Sequence, residues 1–468
     1  MGSLMGLMSL TQSALDADQA AINVTSNNVA NQNTAGYTRE TVSFVANDAV
    51  SLSGYQGSGE SVTATEVSQR DRVLEQQLQQ QTQGSTASSA RLTALQDVES
   101  MFGLTSTSSS ASSTTLGTAV DGFFSSLTAL SANPTDAPTQ AAVLTAATTL
   151  AAAFNSTSQG LSSEVSSLNS QIATTAQQVN GLTATVAQLN QQISELSPNA
   201  DAGTLEDARQ QAILQLSGIM GVDQVTTQGN GVTLTASDGT VLVSGNQSFS
   251  LSTTTVDGNT EIVAGDPPKT LSQDIQGGAI GGMLQARDQD IPPMQTAMDQ
   301  LAYTLGAAVN TQNEAGTTAS GAAGTAVFTL PSSAAGAAGT ISVALTAGSG
   351  IATAGAGEGA AGTSNALALA NLGSAETTSG DTASGFFSSF IGTLGGTVSS
   401  ATVANTANTA SLAQAQTQRD SLSAVSLDDE ATSLTQYQRS YQAASQVFSI
   451  VNQLLADTLN LGQEATVA

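Results

Sequence analysis

The sequence predicts a mainly α-helical protein with β structure inserted in the middle, on three observations. Both ends of the 468-residue chain carry apolar residues at every seventh position, a third heptad array lies in the interior, and the repeat changes to two residues between about 222 and 263. A sustained seven-residue repeat is typical of helices packed along their lengths, whereas a repeat of two is typical of strands. We therefore expect paired terminal helices in a coiled coil, a bundle core of long helices, and small antiparallel β regions.

The N-terminal stripe consists of large apolar residues spaced for one helix face. The residues expected to form an assembly surface there are Leu4, Met8, Leu15, Ile22 and Val29. Asn and Gly, which tolerate left-handed backbone, are frequent just after this stripe and predict a helix stop followed by a turn. Residues 1–65 are therefore expected to form a terminal helix with a turn and an extended segment.

The C-terminal stripe has the same period and lies within residues 425–468. Its predicted interface residues are Leu427, Leu434, Tyr437, Tyr441, Phe448, Val451 and Leu455. Three adjacent carboxylates, Asp428, Asp429 and Glu430, follow Ser426, which has the spacing of a capping residue, and the helix dipole stabilises carboxylates in a first turn. No nucleophile, second base or metal ligand accompanies them, so we interpret the triplet as a helix start rather than as acid/base machinery.

The interior heptad array alternates Leu with Val or Ile from Leu161 to Leu196 and predicts one long helix. Apolar segments before it, such as 143–154, are expected to fold back on it as separate helices, although an intermolecular coiled coil stays open. Together they predict the first part of a helical bundle over residues 66–220. A Ser/Thr-rich run at 105–115 is expected to be a loop between helices.

The remaining chain divides by composition and periodicity. The predicted parts are an antiparallel β subdomain at 221–270, a second part of the bundle at 271–316, a Gly/Ala-rich β-like insertion at 317–364 with strands near 327–330 and 341–345, and a third part of the bundle at 365–424. Because the terminal helices are expected to pair, the middle of the chain should lie farthest from them.

Composition excludes several classes of function. The chain has no Cys and no His, which excludes thiolate nucleophiles, imidazole bases and ordinary zinc sites. We expect no enzyme activity and no catalytic, cofactor-binding or metal-binding residues. A formal net charge of -27 with nine scattered basic residues disfavours binding to nucleic acid or to an anionic membrane face. No run of apolar residues is long enough to predict a membrane span, and the first basic residue is Arg39, so no cleavable signal peptide is expected.

The turn after the first helix carries a family resemblance. Its pattern, Asn-x-Asn-Thr-x-Gly-Tyr-x-Arg, is formed by Asn31, Asn33, Thr34, Gly36, Tyr37 and Arg39. This run resembles the shared N-terminal signature of the bacterial flagellar rod, hook and hook-associated proteins. The runs 277–288, 365–372 and 425–444 are similar to hook-associated members of that family. The resemblance covers nearly the whole chain and has least support between about residues 317 and 360.

The resemblance implies a structural adaptor at the junction of hook and filament, assembled through its terminal helices inside a tubular axial structure. It implies a ring of copies in contact with hook protein and with the second hook-associated protein, and a cytoplasmic export chaperone bound to the C-terminal helix. It also implies an extracellular location in the flagellum, reached through type III export. Two alternatives stay open: another axial protein, either the second hook-associated protein or a flagellin-like one, and an exported coiled-coil surface or adhesin protein.

Overall fold

Long α-helices dominate the computed structural model, which describes residues 2–34, 36–46, 62–103, 115–196, 203–226, 231–265 and 267–464. The helices are α1 (Gly2–Asn31), α2 (Arg72–Met101), α3 (Leu116–Ala132), α4 (Ala137–Glu195), α5 (Gly203–Ile219), α6 (Gly278–Gln285), α7 (Ile291–Glu314), α8 (Ala337–Thr340), α9 (Ser364–Asn371), α10 (Ala383–Ser423) and α11 (Leu427–Glu464). The strands are β1 (Glu40–Ala46), β2 (Val62–Ser68), β3 (Val222–Thr226), β4 (Val232–Ala236), β5 (Val241–Ser244), β6 (Gln247–Ser248), β7 (Leu251–Val256), β8 (Asn259–Ala264), β9 (Lys269–Thr270), β10 (Phe328–Thr329) and β11 (Ser342–Val343). The predicted class, mainly α with inserted antiparallel β structure, is confirmed.

The two ends of the chain pack against each other. Helix α1 lies along α11, and the β1–β2 hairpin, in which Glu40 pairs with Ser68, lies against α1. Helix α10 leads back along α2 and connects to α11 through a short link. The predicted pairing of the terminal helices is therefore present in the structure.

Helix α4 is the longest element of the bundle. It spans 59 residues, about 88 Å at 1.5 Å per residue, and begins at Asp136, whose carboxylate accepts from the Thr139 N–H. Its buried apolar residues keep the predicted spacing: Leu161, Leu168, Ile172, Val179, Val186 and Ile193. The prediction that 143–154 forms a separate helix is wrong, because α4 continues without a break through Gly160. The predicted loop at 105–115 lies, except for its last residue, outside the described residues.

Helix α6 approaches α2 closely because small residues face the contact. A Cβ placed on Gly282 would lie 2.0 Å from the carbonyl oxygen of Ala87. After α6 the chain widens into a π-helical turn, Ala286–Asp290, and Arg91 of α2 donates to both carboxylate oxygens of Asp290 at 2.8 and 2.9 Å. The Gly-rich run at 277–288 is thus an element of close helix packing.

Two antiparallel sheets of the 221–270 region, ordered β3-β4-β5-β6 and β7-β8-β9, are fastened to α4 by asparagine side chains. Asn180 donates to the Leu251 carbonyl at 2.9 Å and accepts from the Leu251 N–H at 2.7 Å. Asn190 does the same at Val232, with distances of 2.8 and 3.2 Å. Each side-chain amide replaces a neighbouring strand for one residue and so satisfies backbone groups that would otherwise be buried without partners.

A buried arginine strengthens this attachment. The Arg287 side chain, which is 1% exposed, donates to the Thr260 carbonyl at 2.5 Å and to Asn169 Oδ1 at 2.9 Å. It also pairs with Glu261 at 3.1 Å and with Asp288 at 2.7 Å. Its charge is tolerated in the interior because it is both paired and hydrogen-bonded.

The Gly/Ala-rich region at 317–364 packs on the bundle near the N-terminal half of α4. Its strands are shorter than predicted, since β10 and β11 contain two residues each. Asn310 of α7 supplies part of the missing ladder by donating to the Phe328 carbonyl at 2.8 Å and accepting from the N–H groups of Val327 and Phe328 at 2.8 Å. Polar side chains from the helices thus form backbone hydrogen bonds in this region that strand pairing was expected to form.

We expect Asn190→Leu to lower the free energy of unfolding by about 2–4 kcal/mol, because it strips hydrogen bonds from the buried Val232 backbone. It also removes an acceptor for Arg209, whose Nη1 lies 3.0 Å from Asn190 Oδ1. Urea unfolding followed by circular dichroism measures the change. Gln188→Leu, at an exposed position of the same helix, is the control, and an equal loss in both variants would contradict the anchoring role.

Candidate assembly surface

The contact between α1 and α11 is built around small side chains. Helix α1 packs against both α11 and the β1–β2 hairpin, and its buried apolar residues are Ala17, Ala21 and Val24; in the described part of α11 the buried apolar residue is Val451. Small residues allow two helix backbones to approach closely, but each buries little apolar area. The seam therefore joins the helices while leaving larger apolar side chains at its edges.

The predicted N-terminal stripe lies beside this seam rather than at its centre. The half-buried members are Leu4, Met8, Leu15 and Ile22, and the remaining member, Val29, is exposed. Counting large apolar residues located the helix correctly, but the most buried apolar residues of α1, Ala17, Ala21 and Val24, lie on a different side of the helix from the predicted stripe. The role of these five residues in assembly stays a prediction.

The C-terminal stripe is closer to the contact. Its half-buried members are Leu434, Tyr437, Phe448 and Leu455, its buried member is Val451, and its exposed members are Leu427 and Tyr441. The ring of Tyr437 contacts Phe44 of the hairpin, with ring centroids 6.1 Å apart. This stripe therefore holds both α1 and the hairpin, and its part in assembly with other subunits stays a prediction.

A second apolar face of α11 is not covered within the subunit. Val447, Ile450 and Leu454 are 44%, 56% and 48% exposed, and their spacing of three and four residues places them on one side of the helix. We call these three residues the outer apolar face. Met5 and Leu7 of α1 are also exposed. Contiguous exposed apolar residues of this kind mark interaction sites. The outer apolar face has heptad spacing of its own, and the sequence prediction missed it because it followed the stripe one position further along, at Phe448, Val451 and Leu455.

The terminal helix pair is joined to the bundle by a buried polar cluster, the joint, formed by Asn28, Tyr37, Arg39, Glu40 and Glu430. Asn28 is 1% exposed and uses all of its hydrogen-bonding capacity. Its amide nitrogen donates to the Glu40 carbonyl at 2.7 Å and to Glu430 Oε2 at 3.1 Å. Its oxygen accepts from the Glu40 N–H at 3.0 Å and the Tyr37 hydroxyl at 2.9 Å.

An ion pair closes the joint across the two ends of the sequence. Arg39 Nε donates to Glu430 Oε1 at 2.7 Å, and the Glu430 side chain is only 3% exposed. The Arg39 N–H also donates to the Ser423 carbonyl at 2.8 Å, and the Ser423 hydroxyl donates to the Gln69 carbonyl at 3.0 Å. The ends of α1 and α10 and the starts of α11 and β1 are therefore fixed at one point.

The signature residues build the turn that leads into the joint. Thr34 donates through its N–H to the Asn31 carbonyl at 2.8 Å and through its hydroxyl to Asn31 Oδ1 at 3.2 Å. Gly36 has φ +82°, which a residue with a side chain rarely adopts. Asn33 is exposed, while Tyr37 and Arg39 reach into the joint. The structure thus assigns most of the signature to chain reversal and to the joint.

A second polar contact ties the joint to α5. Asp207 accepts from the Thr38 N–H at 3.0 Å and forms an ion pair with Arg70, which also lies 3.4 Å from Glu206. Burial lowers the pKa of the neighbouring Arg209 to about 10, so this side chain is still protonated at neutral pH. The surroundings of the joint are therefore charged and extensively paired.

The interpretation of the acidic triplet as a simple helix start needs correction for one residue. Asp428 and Asp429 are exposed, and the Asp429 N–H lies 3.5 Å from Ser426 Oγ, as expected for the first turn. Glu430 instead points inward to Asn28 and Arg39. No local pattern separates Glu430 from its neighbours, because its partners lie about four hundred residues away in the chain.

The described residues form neither a metal-binding cluster nor a membrane-spanning helix. They contain no group of three or more acidic, His or Cys side chains placed to hold a metal ion. Nor does any helix of the described ranges combine the length and apolarity that crossing a membrane requires.

Family comparisons cover the ends and the middle of the chain. The model described as flagellar hook-associated protein FlgK helical domain matches residues 95–328. Two further models, flagella basal body rod protein and flagellar basal body rod FlgEFG protein C-terminal, match residues 8–38 and 416–461. The matched ends contain most of α1, most of the signature and nearly all of α11.

Individual relatives agree with these matches. Flagellar hook-associated protein 1 of Escherichia coli K12 is 30% identical over 346 residues, which cover 70% of this chain and 60% of the relative. The protein of the same name from Bacillus subtilis 168 is 29% identical over 98% of each chain. The solved flagellar hook junction protein FlgK from Burkholderia pseudomallei has the same fold, with a TM-score of 0.67 at 20% identity over 74% of this chain and 100% of that chain.

Proposed function

The chain belongs to the flagellar hook-associated protein 1 family, and we propose that it is the structural adaptor that joins hook to filament. The aligned part spans 60% of the Escherichia coli relative, so this role is inferred for the present chain from its own surface. The observation that carries it is the outer apolar face on a helix pair that is tied rigidly to the bundle.

Assembly in this proposal proceeds through the terminal helices. The outer apolar face of α11 packs against terminal helices of neighbouring subunits, which removes three large side chains from water. Burying each of them fully contributes about 1.5–3 kcal/mol. The partners are further copies of the chain in a ring, hook protein on one side and the second hook-associated protein on the other.

We expect the double change Ile450→Asp and Leu454→Asp to abolish attachment of filaments while leaving the subunit folded. Both residues are about half exposed in the isolated chain, so a charge there should hardly change the stability of the subunit. The same charge opposes apolar packing between subunits, because it would have to be buried. The measurement is the fraction of cells with attached filaments after complementing a strain that lacks its own hook-associated protein 1. Circular dichroism of the purified variant reports the fold.

The matched control is Gln453→Asp together with Asp457→Glu, at exposed positions of the same helix. Filament attachment should be retained in this control. Normal filaments in the Ile450 and Leu454 variant would remove the main support for assembly through α11.

We also propose that a cytoplasmic export chaperone covers α11 before export. An exposed apolar helix face promotes aggregation in the cytoplasm, and a chaperone that binds it would keep the subunit soluble. In a pull-down with the flagellar chaperones of the host, removal of residues 425–468 should abolish capture. Retained capture by the shortened chain would place the chaperone site elsewhere.

Location follows from the same role. An adaptor between hook and filament is extracellular and would reach its place through the type III export channel of the flagellum, without cleavage of a signal peptide. Mass spectrometry of the protein recovered from sheared flagella tests this, since an unprocessed N-terminus is expected.

A further inference from the structure

Glu164, on α4, is a largely buried residue whose carboxylate lines an open groove and has no partner among the described residues. The residue is 8% exposed, and within the described ranges no hydrogen bond or ion pair reaches its side chain. Burial, and after it the negative charge of Asp97, raise the pKa of the Glu164 carboxyl. An unpaired buried charge is costly and is normally relieved by a cation. The arrangement therefore points to a positive group that the isolated subunit does not supply.

Glu164 faces Asp97 across a groove between two antiparallel helices. The register is set by Met101 of α2, whose Sδ would lie 3.1 Å from a Cβ on Gly160 of α4. Moving four residues back along α2 and four forward along α4 brings Asp97 opposite Glu164. Asp97 is exposed, and its carboxylate also lacks a partner in the part of the chain that is described. Two unpaired carboxylates therefore lie at one place.

The groove is large enough for a side chain with its neighbours. Its volume is about 500 Å³, and we call it the carboxylate groove. The residues that define it here are Asp97, Glu164, Thr93, Ser167, Leu168 and Met283. Short side chains on both helices keep it open, while Leu168 and Met283 are buried and give it an apolar base. A group that is both cationic and partly apolar would fit this lining.

A group that is both cationic and apolar lies at the start of α2, from where a second copy of the chain can present it. Of the nine basic residues, Arg72 and Arg439 are exposed and form no ion pair with any described residue. Arg72 belongs to the bundle, as the groove does, whereas Arg439 belongs to the terminal helix pair. Val73, the next residue, is 72% exposed. Arg72 and Val73 thus form a corner that is cationic and apolar together.

We propose that the Arg72–Val73 corner of one copy docks in the carboxylate groove of a second copy. The proposal rests on the proposed function, which brings copies together in an axial assembly. The Arg72 guanidinium pairs with Glu164 and Asp97, and Val73 contacts the apolar base. The pairing also opposes the repulsion between subunits of net charge -27.

The geometry of this contact suits a helical or ring assembly. The corner and the groove are different surfaces of one molecule, separated along α2 by twenty-five residues, or about 37 Å. A contact between two different surfaces repeats from copy to copy and builds rings or helical filaments rather than closed pairs. Neighbouring bundles would therefore be offset along their long axis.

A divalent cation fits the groove less well than a side chain. No third acidic side chain joins Asp97 and Glu164 among the described residues. Calcium prefers six to eight oxygen ligands at short distances, and an open groove with an apolar base does not supply them. Binding of a divalent cation would nevertheless stabilise the isolated chain, and the calcium test described below detects it.

Cysteine cross-linking tests the contact directly, because the natural chain has no Cys. Purified Val73→Cys chain is mixed at high concentration with purified Ser167→Cys chain and oxidised. Disulfide-linked pairs containing one copy of each are expected, and Gln188→Cys in place of Ser167→Cys should reduce their yield at least about tenfold. Equal yields for Ser167→Cys and Gln188→Cys would overturn the proposal.

Charge reversal provides the second arm, in cells that lack hook-associated protein 1. Arg72→Glu and Glu164→Arg should each reduce the fraction of cells with filaments at least about tenfold, as expected when one partner of a buried charge pair is lost. Combining the two reversals should restore most of it, and Gln188→Arg, at an exposed position of the helix that carries Glu164, is the control. Single reversals without effect, or a double reversal no better than either, would overturn the contact.

The outcomes separate this contact from the proposed function. A wild-type chain that attaches no filaments counts against the junction role, whereas the cross-linking result is obtained with purified protein and does not depend on it. Glu164→Gln should not lower the thermal midpoint of the isolated chain, since it removes an unpaired charge. Stabilisation of the isolated chain by calcium chloride that Glu164→Gln abolishes would assign the groove to a cation and overturn docking by Arg72.

Discussion

Glu430→Ala should lower the free energy of unfolding by about 3–5 kcal/mol, the cost typical of removing one partner from a buried ion pair. The change leaves the Arg39 guanidinium without its 2.7 Å acceptor and removes one of the four hydrogen bonds of Asn28. Chemical denaturation measures the loss. Hydrogen exchange should show it locally, as faster exchange at the end of α1 and the start of β1.

The neighbouring carboxylate supplies the control for this prediction. Asp428 is on the same turn but exposed, so Asp428→Ala should change the stability by no more than about 0.5 kcal/mol. The double variant of Arg39→Met and Glu430→Ala should lose less than the sum of the two single losses, because they share one interaction. Strict additivity would mean that the pair contributes nothing as a pair.

Gly282→Ala should destabilise the chain by about 3 kcal/mol or more, a large effect for one added methyl group. That methyl would lie 2.0 Å from the backbone oxygen of Ala87, so α6 and α2 must separate to admit it. Separation loses packing along both helices and strains the two hydrogen bonds between Arg91 and Asp290. The thermal midpoint and the denaturation midpoint should both fall.

An exposed helical glycine gives the opposite expectation. Gly392 lies within α10, and nothing is within 4 Å of a Cβ placed there. Gly392→Ala should therefore stabilise the chain by up to about 1 kcal/mol, because alanine favours the helix. If Gly392→Ala lowered the stability as much as Gly282→Ala, close packing would not be the reason for the effect at Gly282.

Periodicity was sufficient to predict the helical class, the terminal helices and the long interior helix. It failed where the decisive residues are small. The buried apolar residues of α1 are Ala17, Ala21 and Val24, whereas heptad counting follows the largest apolar side chains. The strands of 317–364 are shorter than predicted, since Asn310 supplies backbone hydrogen bonds at Val327 and Phe328 that a neighbouring strand was expected to supply.

The joint could not be predicted from local pattern. The signature identified Tyr37 and Arg39, but their use depends on Asn28 and Glu430, which come from opposite ends of the chain. Polar residues that pair over such a sequence separation show no regular spacing, whereas apolar residues on one helix face do.

The unbroken course of α4 has a mechanical consequence. If the chain joins hook to filament as proposed, it must transmit torque without bending, and a continuous helix of 59 residues contains no break at which to bend. Twisting load applied near the terminal pair would be conveyed along its hydrogen-bond ladder to the outlying β regions. Any bending or twisting of the assembly would then take place at the contacts between subunits and not within a subunit.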